Sequence, residues 1–339
     1  MIDIVSIGMV TAVGLDAPSA CAAMRARLDG FQETRFMGPG GDWLVGALVP
    51  LPRNWIGERR LAHLAAAAIC EALEPHPSAR DSAALILCLA EEDRPGRPVR
   101  DAARLAATIA EITEITEIRA RHRTRIVAHG RPSGHVALDH ARRLLAAREA
   151  PFVVIAGVDS YLTTLSIAHY LTENRLLTPD NPNGFIPGEA AAALLCAPAG
   201  PGPLRLHGLG LAREQAYIYN PADLPLRGDG MTAAYRAALT ETGIAMNRLG
   251  YRIADLIGEQ FWFKQSALAS LRLVRGAHGF QDLWSPAESL GNIGAAAVPL
   301  MIGMAWTAAA RGYAAGDLVL VEASGDSGAS AAAVLARAA

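Results

Sequence analysis

A chain of 339 residues with a formal net charge of −2 and 51% hydrophobic content has room for two domains or one doubled one. It carries no excess of positive charge to hold nucleic acid or an anionic membrane surface. The four cysteines, Cys21, Cys70, Cys88 and Cys196, form no Cys-x-x-Cys pair and the histidines no His-Glu-x-x-His, so zinc and redox motifs are excluded and reduced, buried thiols are expected.

In chain order, residues 2–9 alternate loosely as a strand, 10–15 form a turn and 17–28 a helix closed by Gly30. A loop region follows, with one short strand at 44–49. Residues 59–74 form an amphipathic, alanine-rich helix, and 83–89 a continuous apolar run of the kind buried parallel strands show. After the charged, proline-rich loop 91–100 come a helix at 102–118, a strand at 126–128, a helix at 133–148 and a strand at 152–157. A helix at 159–170, the polar loop 178–183 and a strand at 190–196 complete the first series. Ala197-Pro-Ala-Gly-Pro-Gly-Pro203 is the clearest linker. Beyond it the pattern starts again: strand 204–212, helix 229–242 closed by Gly243, strand 253–257, helix 265–273, then strands 318–322 and 329–336. Alternation of strands and helices in both halves predicts parallel sheets and an internal duplication, divided as 1–200 and 201–339.

Residues 289–310 contain no charge and approach the length of a bilayer span. Asn292, Pro299 and three glycines fit a buried central helix better. Residues 1–14 lack the charged start and long apolar core of a signal peptide, so a cytoplasmic location is expected, with no membrane or nucleic-acid partner.

The stretch Ile126-Val-Ala-His-Gly-Arg-Pro-Ser-Gly-His-Val-Ala137 passes from apolar strand through a tight turn into an amphipathic helix. Backbone N–H groups and the positive end of the dipole collect at such an elbow, and many enzymes place a nucleophile there. Here Arg131, a cation, occupies it.

Several motifs together resemble the beta-ketoacyl synthases, the 3-oxoacyl-[acyl-carrier-protein] synthases of the thiolase-fold superfamily. Ile7-Gly-Met-Val-Thr-Ala-Val-Gly14 is similar to that family's opening strand and turn, and Gly184-Phe-Ile-Pro-Gly188-Glu189 to its Gly-Phe-x-x-Gly-Glu signature. Residues 229–243 resemble the helix ahead of the catalytic-histidine strand. Gly291-Asn-Ile-Gly-Ala-Ala-Ala297 resembles the start of the central C-terminal helix, and Gly325, Asp326, Ser327 and Gly328 the late glycine-rich turn lining the site. The resemblance implies an α/β thiolase-like fold of two similar βαβαβαββ halves in αβαβα layers. It implies decarboxylative Claisen condensation by an elbow cysteine with two polar residues that stabilise oxyanions.

Matched residue by residue, the cysteine position falls on Arg131, the first histidine on Glu259 and the last polar position on Asn292, or on Gly291 in the other register. The family's lysine is lost near Pro286, and the region between Leu89 and Arg125 is short. Arg131 cannot be deprotonated, and Glu259 would repel an enolate. The expectation is a protein that has lost condensation, with Arg131 and Glu259 bridging in the old site. It would serve as a partner, binding or regulatory subunit: a homodimer, or a heterodimer with an active ketosynthase through the strand at 126–128, without a cofactor or metal. The alternative is an acyltransferase or acyl-thioesterase that meets an acyl carrier protein or acyl-CoA. Arg131 would then bind an anion and Ser133 or an activated water would react. Ser133 otherwise caps the following helix, and Asp255, in a strand, need not face Glu259.

Overall fold

The computed structural model describes residues 1–52, 54–114, 124–200, 202–276, 279 and 281–337. Its strands are β1 (Ile2–Val10), β2 (Phe31–Met37), β3 (Trp43–Ala47), β4 (Ala83–Cys88), β5 (Thr124–Val127), β6 (Phe152–Ser160), β7 (Glu189–Pro198), β8 (Leu204–Arg213), β9 (Tyr251–Ala254), β10 (Asp282–Trp284), β11 (Leu318–Ser324) and β12 (Ala329–Arg337). Ten of them form one sheet in the order β10-β9-β11-β12-β8-β1-β7-β6-β4-β5, while β2 and β3 make a separate two-stranded sheet.

Outward from the centre, β1-β7-β6-β4-β5 and β8-β12-β11-β9-β10 are the same pattern. In each half the second strand runs parallel to the third and fourth, and the fourth, last and first run antiparallel. The sheet is therefore mixed rather than parallel. The halves join where Ile2, Asp3 and Ile4 of β1 pair antiparallel with Leu206, Arg205 and Leu204 of β8. Continuous apolar sequence in β4 and alanine-rich sequence in β7 leave both strands buried on both faces up to the last residue of β7, as strands covered by helices on either side must be.

The elbow helix (Ser133–Ala146) and the central helix (Ala297–Arg311) touch strands of both halves. The helices Gly57–Leu73 and Ala102–Thr113 pack outside the first half, and Asp229–Thr242 and Gln260–Leu273 outside the second. The result is the expected αβαβα layering. The largest apolar cluster fills the central layer, joining Ile4, Ile155 and Leu194 to Leu300, Val319 and Leu335.

Several local expectations are corrected. The helix expected at 159–170 starts at Thr164, because β6 continues through Asp159 to Ser160. There the Asp159 carboxylate takes two hydrogen bonds of 2.7 Å from Arg94 and one from the Ala295 N–H. The first helix ends at Arg25, and the helix expected at 102–118 is seen as Ala102–Thr113, residues 115–118 lying outside the described set. The uncharged segment 289–310 divides into a 3-10 turn, Gly294–Ala296, and the central helix. No helix among the described residues is long and apolar enough to cross a membrane. Strands β2 and β10 were not expected. The paired basic residues Arg142 and Arg143 both bond Asp139 on their own helix, a solvated ion-paired face.

His135, in the elbow helix, is wholly buried, with Nε2 3.0 Å from the Val321 carbonyl and no partner for Nδ1. Burial pushes its pKa down to about 4, against the favourable carbonyl contact. Its native pKa lies below the unfolded value, so the neutral ring contributes stability above about pH 6.5 that is lost as pH falls through 4, a swing of roughly 3 kcal/mol. Urea midpoints of wild type and His135→Gln should therefore diverge in slope between pH 6.5 and 4, the variant being flatter. Identical slopes would contradict this.

Candidate functional site

Strand β5 ends at Val127 and the elbow helix begins at Ser133. Between them Gly130 adopts φ +62°, which favours glycine, and its N–H donates to the Leu89 carbonyl at 3.0 Å. Ser133 does not cap its helix, since Pro132 holds the cap position without a side-chain bond. The Ser133 hydroxyl instead accepts from the His129 N–H at 2.9 Å and donates to Leu89 O at 3.4 Å, tying the turn to the end of β4. It is fully buried and neither bond is to an acid or an imidazole.

Arg131 leaves this turn into the interior and is 1% exposed. Its Nη1 donates to Asp255 Oδ2 at 3.1 Å, its Nη2 to Asp326 Oδ1 at 3.2 Å, and its guanidinium lies 3.9 Å from the centre of the Trp262 ring. Asp255 follows directly on β9, and Asp326 sits in the turn between β11 and β12. Asp326 also accepts from Arg175 Nη1 at 2.6 Å. Arg175 in turn grips Glu259 with two parallel bonds of 2.7 Å, and Trp262 Nε1 donates to the same carboxylate at 2.9 Å. Tyr219 OH accepts a further bond from Arg175 at 2.8 Å.

The expected bridge between Arg131 and Glu259 is therefore not made. Arg175, just beyond the helix Thr164–Thr172, takes Glu259 with its planar fork, and the strand-end Asp255 lies closer to Arg131. The two residues are joined only through Asp326–Arg175 and Trp262. Two guanidiniums thus face three carboxylates, with one surplus negative charge. Burial opposes the Arg131 charge, yet Asp255 and Asp326 hold its pKa above the usual arginine value. Burial alone would raise Asp326, but Arg175 and then Arg131 keep it below the ordinary carboxylate range. For Asp255 burial prevails and its pKa is raised, with Arg131 pulling the other way.

No protein-family model and no curated protein matches the chain. Solved structures match along its whole length. The ishigamide ketosynthase/chain length factor aligns at TM-score 0.82 and 17% identity, covering 100% of this chain and 99% of that one. A ketosynthase in complex with its chain length factor from Xenorhabdus doucetiae aligns at 0.78 and 15%, covering 99% and 98%. A structure of a type II PKS acyl-carrier protein in complex with its ketosynthase gives 0.79 and 15%, covering 100% and 99%. The chain has the thiolase-like ketosynthase fold.

On that ketosynthase frame, Arg131, Glu259 and Asp326 share one buried network, while Asn292 is spent on backbone geometry. Its Oδ1 accepts from the Gly294 N–H at 3.1 Å, and its own N–H donates to Ile186 O at 2.8 Å. The turn of Gly325, Asp326, Ser327 and Gly328 is closed by bonds from Gly325 N–H to Ala329 O and from Gly328 N–H to Gly325 O, which fixes Asp326 beneath the elbow. Gly188 passes so close to Leu290 that a Cβ would stand 2.1 Å from its carbonyl oxygen. The buried Glu189 accepts from Arg60, from the Val49 N–H and from Ser160 Oγ, a structural clamp. Arg175 and Trp262 were missed from sequence, and Asp255 was set aside. The visible signal was charge: a buried Arg and Glu on facing loops each need a counter-ion.

Glu91 also reaches this region. A Cβ on Gly130 would meet its carboxylate, its Oε2 lacks a partner, and burial raises its pKa, offset by Arg94. A cavity of about 470 Å³ beside the network is bounded by Glu91, Tyr170, Tyr219 and Asp326, and Arg131 is not on its wall. Among the described residues no group of three or more ligating side chains is placed to hold a metal. Removing the shared anion leaves two buried guanidiniums in contact range without their link. Asp326→Ala should cost about 3–5 kcal/mol in urea unfolding, and a loss below about 1 kcal/mol would show that the network does not bear on folding.

Proposed function

We propose that this chain is a non-condensing subunit of ketosynthase fold, built from two duplicated halves, 1–200 and 201–339, that works by pairing with another chain. The observation that carries the reading is the side chain at the elbow. A ketosynthase needs a thiolate there, and Arg131 fills the position as a buried cation committed to Asp255 and Asp326. The Glu259 carboxylate, held by Arg175 and Trp262, stands where a proton-donating imidazole would be needed.

None of the four thiols replaces the missing nucleophile. Burial pushes Cys21 up to about 11 and Cys196 up to about 12, raises Cys88 further, and raises Cys70. All four are free thiols, and Cys88 and Cys196 lie inside β4 and β7. Ser133, locked between His129 and Leu89, is not poised to attack. An Arg131 that is buried and off the wall of the neighbouring cavity favours the partner reading over acyl transfer or thioester hydrolysis, which would need an open cleft at the arginine.

The pairing surface is β5. Among the described residues it is the outermost strand of its half, with Thr124 half-buried and Arg125 and Ile126 exposed, and a strand edge of this kind offers a row of N–H and C=O groups for pairing. The structural relatives include ketosynthase/chain length factor pairs, which favours an active ketosynthase as the partner, with a second copy of this chain as the simpler assembly.

Intact-mass spectrometry after incubation with malonyl and acyl thioesters of coenzyme A and of acyl carrier protein should show no covalent adduct, and parallel assays no decarboxylation or hydrolysis. An adduct or turnover would overturn the non-condensing reading. Ile126→Asp, which places a charge on the β5 edge, should convert the dimer measured by analytical ultracentrifugation to monomer while leaving the circular dichroism of the fold unchanged. A dimer that persists would move the interface elsewhere.

A further inference from the structure

At the opposite end of the sheet from β5, a cavity of about 260 Å³ lies between the first helix (Ala17–Arg25), β10 and the central helix. Its walls mix polar and apolar surface in similar measure. Met24 and Met304 line it, and Trp284 and Tyr313 supply aromatic faces. Trp284 is itself packed against Tyr251, with ring centres 4.6 Å apart, so the wall is rigid. The space corresponds to roughly nine water-sized groups, near the lower end of the range for small-molecule sites.

The polar groups on this cavity include two cations, one carboxylate and two serine hydroxyls. Arg25 and Arg27 both line it, and the Arg25 guanidinium is fixed 4.1 Å over the Tyr313 ring. Both arginines are exposed, and among the described residues neither makes an ion pair. Ser285 lines the same space, and its hydroxyl is buried without a hydrogen-bond partner. Buried hydroxyls ordinarily find one, so the Ser285 hydroxyl lacks an acceptor that a ligand oxygen would supply, and Arg25 and Arg27, both exposed, are free to meet the same anion. Glu288, also on the lining, leaves a net charge of one positive, which suits a monoanion and disfavours a dianion. Cys21 adds a neutral wall, because its thiol donates to Thr307 Oγ1 at 3.4 Å and burial keeps it protonated. The chemistry is therefore binding, without covalent capture.

We propose that this cleft binds a small amphipathic monocarboxylate, its carboxylate held by Arg25, Arg27 and Ser285 and its short aliphatic or aromatic tail laid against Trp284, Met24 and Met304. The planar guanidinium fork matches a carboxylate, and the apolar part of the wall supplies the remaining affinity. The cleft shares no residue with the Arg131 network and lies away from the β5 edge, so it stays open in a dimer paired through that strand.

Calorimetric titration of the full chain with sodium hexanoate tests this. One saturable site per chain is expected, with hexanamide binding at least about tenfold more weakly, because the charge-assisted bonds are lost. Hexyl phosphate should bind more weakly than hexanoate. Arg25→Gln should reproduce the tenfold loss for hexanoate while leaving hexanamide unchanged, and Met304→Trp should abolish binding of both by filling the space. Absence of saturable hexanoate binding up to roughly 10 mM, equal affinity for hexanamide, tighter binding of hexyl phosphate, or full binding by Met304→Trp would each overturn the proposal. The ligand comparison uses the wild-type chain, so a misfolded variant cannot decide the outcome.

Discussion

Asp326 is the point on which the buried network under the elbow depends. One carboxylate serves two buried guanidiniums, Arg131 and Arg175, and each guanidinium has one further anion to itself, Asp255 and Glu259. Burying an unpaired charge is prohibitive, whereas a complete set of pairs is roughly neutral in stability. The arrangement is therefore all or nothing: no member can be removed without stranding another. Arg131 carries an additional handicap, because it starts from a helix N-terminus whose dipole disfavours a cation by some tenths of a kcal/mol. Two carboxylates and the Trp262 face offset that.

The repeated half-sheet explains how these residues meet. Strands β5 and β9 are the third and second members of their halves, and β11 is the fourth. All three belong to the parallel sets, and the loops that leave their C-terminal ends carry Arg131, Asp255 and Asp326. Carboxyl ends of parallel strands are where open α/β sheets place their ligand sites. Here those ends from both halves converge under the elbow helix, and the central helix and its 3-10 lead-in fill the remaining space. The same duplication leaves two unlike edges, β5 and β10, one exposed as a strand and one bordered by a cavity.

Strand and helix identity was largely legible in the sequence, because buried strands such as β4 read as unbroken apolar runs and the amphipathic helices keep their period. Short edge elements escaped. Strand β10 is three residues long and β2 reads Phe-Gln-Glu-Thr-Arg-Phe-Met, so neither carries enough apolar pattern to show. The motif matches singled out Arg131, Glu259 and Asp326, which the fold brings into one network, but not the partners each takes. Partner choice is a tertiary fact: Arg131 and Asp255 are 124 residues apart, and Arg175 and Glu259 are 84 apart. Nothing local distinguishes Arg175 from the many other arginines. Ser133 was misread for a related reason, because its hydroxyl serves the preceding strand loop rather than the helix it opens.

The network also shows what a cysteine at the elbow would meet. With Arg131 and Arg175 facing Asp255, Glu259 and Asp326, the site carries one surplus negative charge. Replacing Arg131 by cysteine would raise that surplus to two and set a thiol beside Asp326, left with Arg175 alone, and Asp255, left without a cation. Nearby carboxylates and burial each push a thiol toward its neutral form, so the helix N-terminus alone would have to sustain a thiolate against them. Glu259 would still hold Arg175 and Trp262, leaving no imidazole to stabilise an enolate. Arg131 and Glu259, with Asp255, Arg175, Asp326 and Trp262 around them, are one electrostatic unit whose guanidiniums are buried and whose shared carboxylate, Asp326, keeps one side toward the neighbouring cavity.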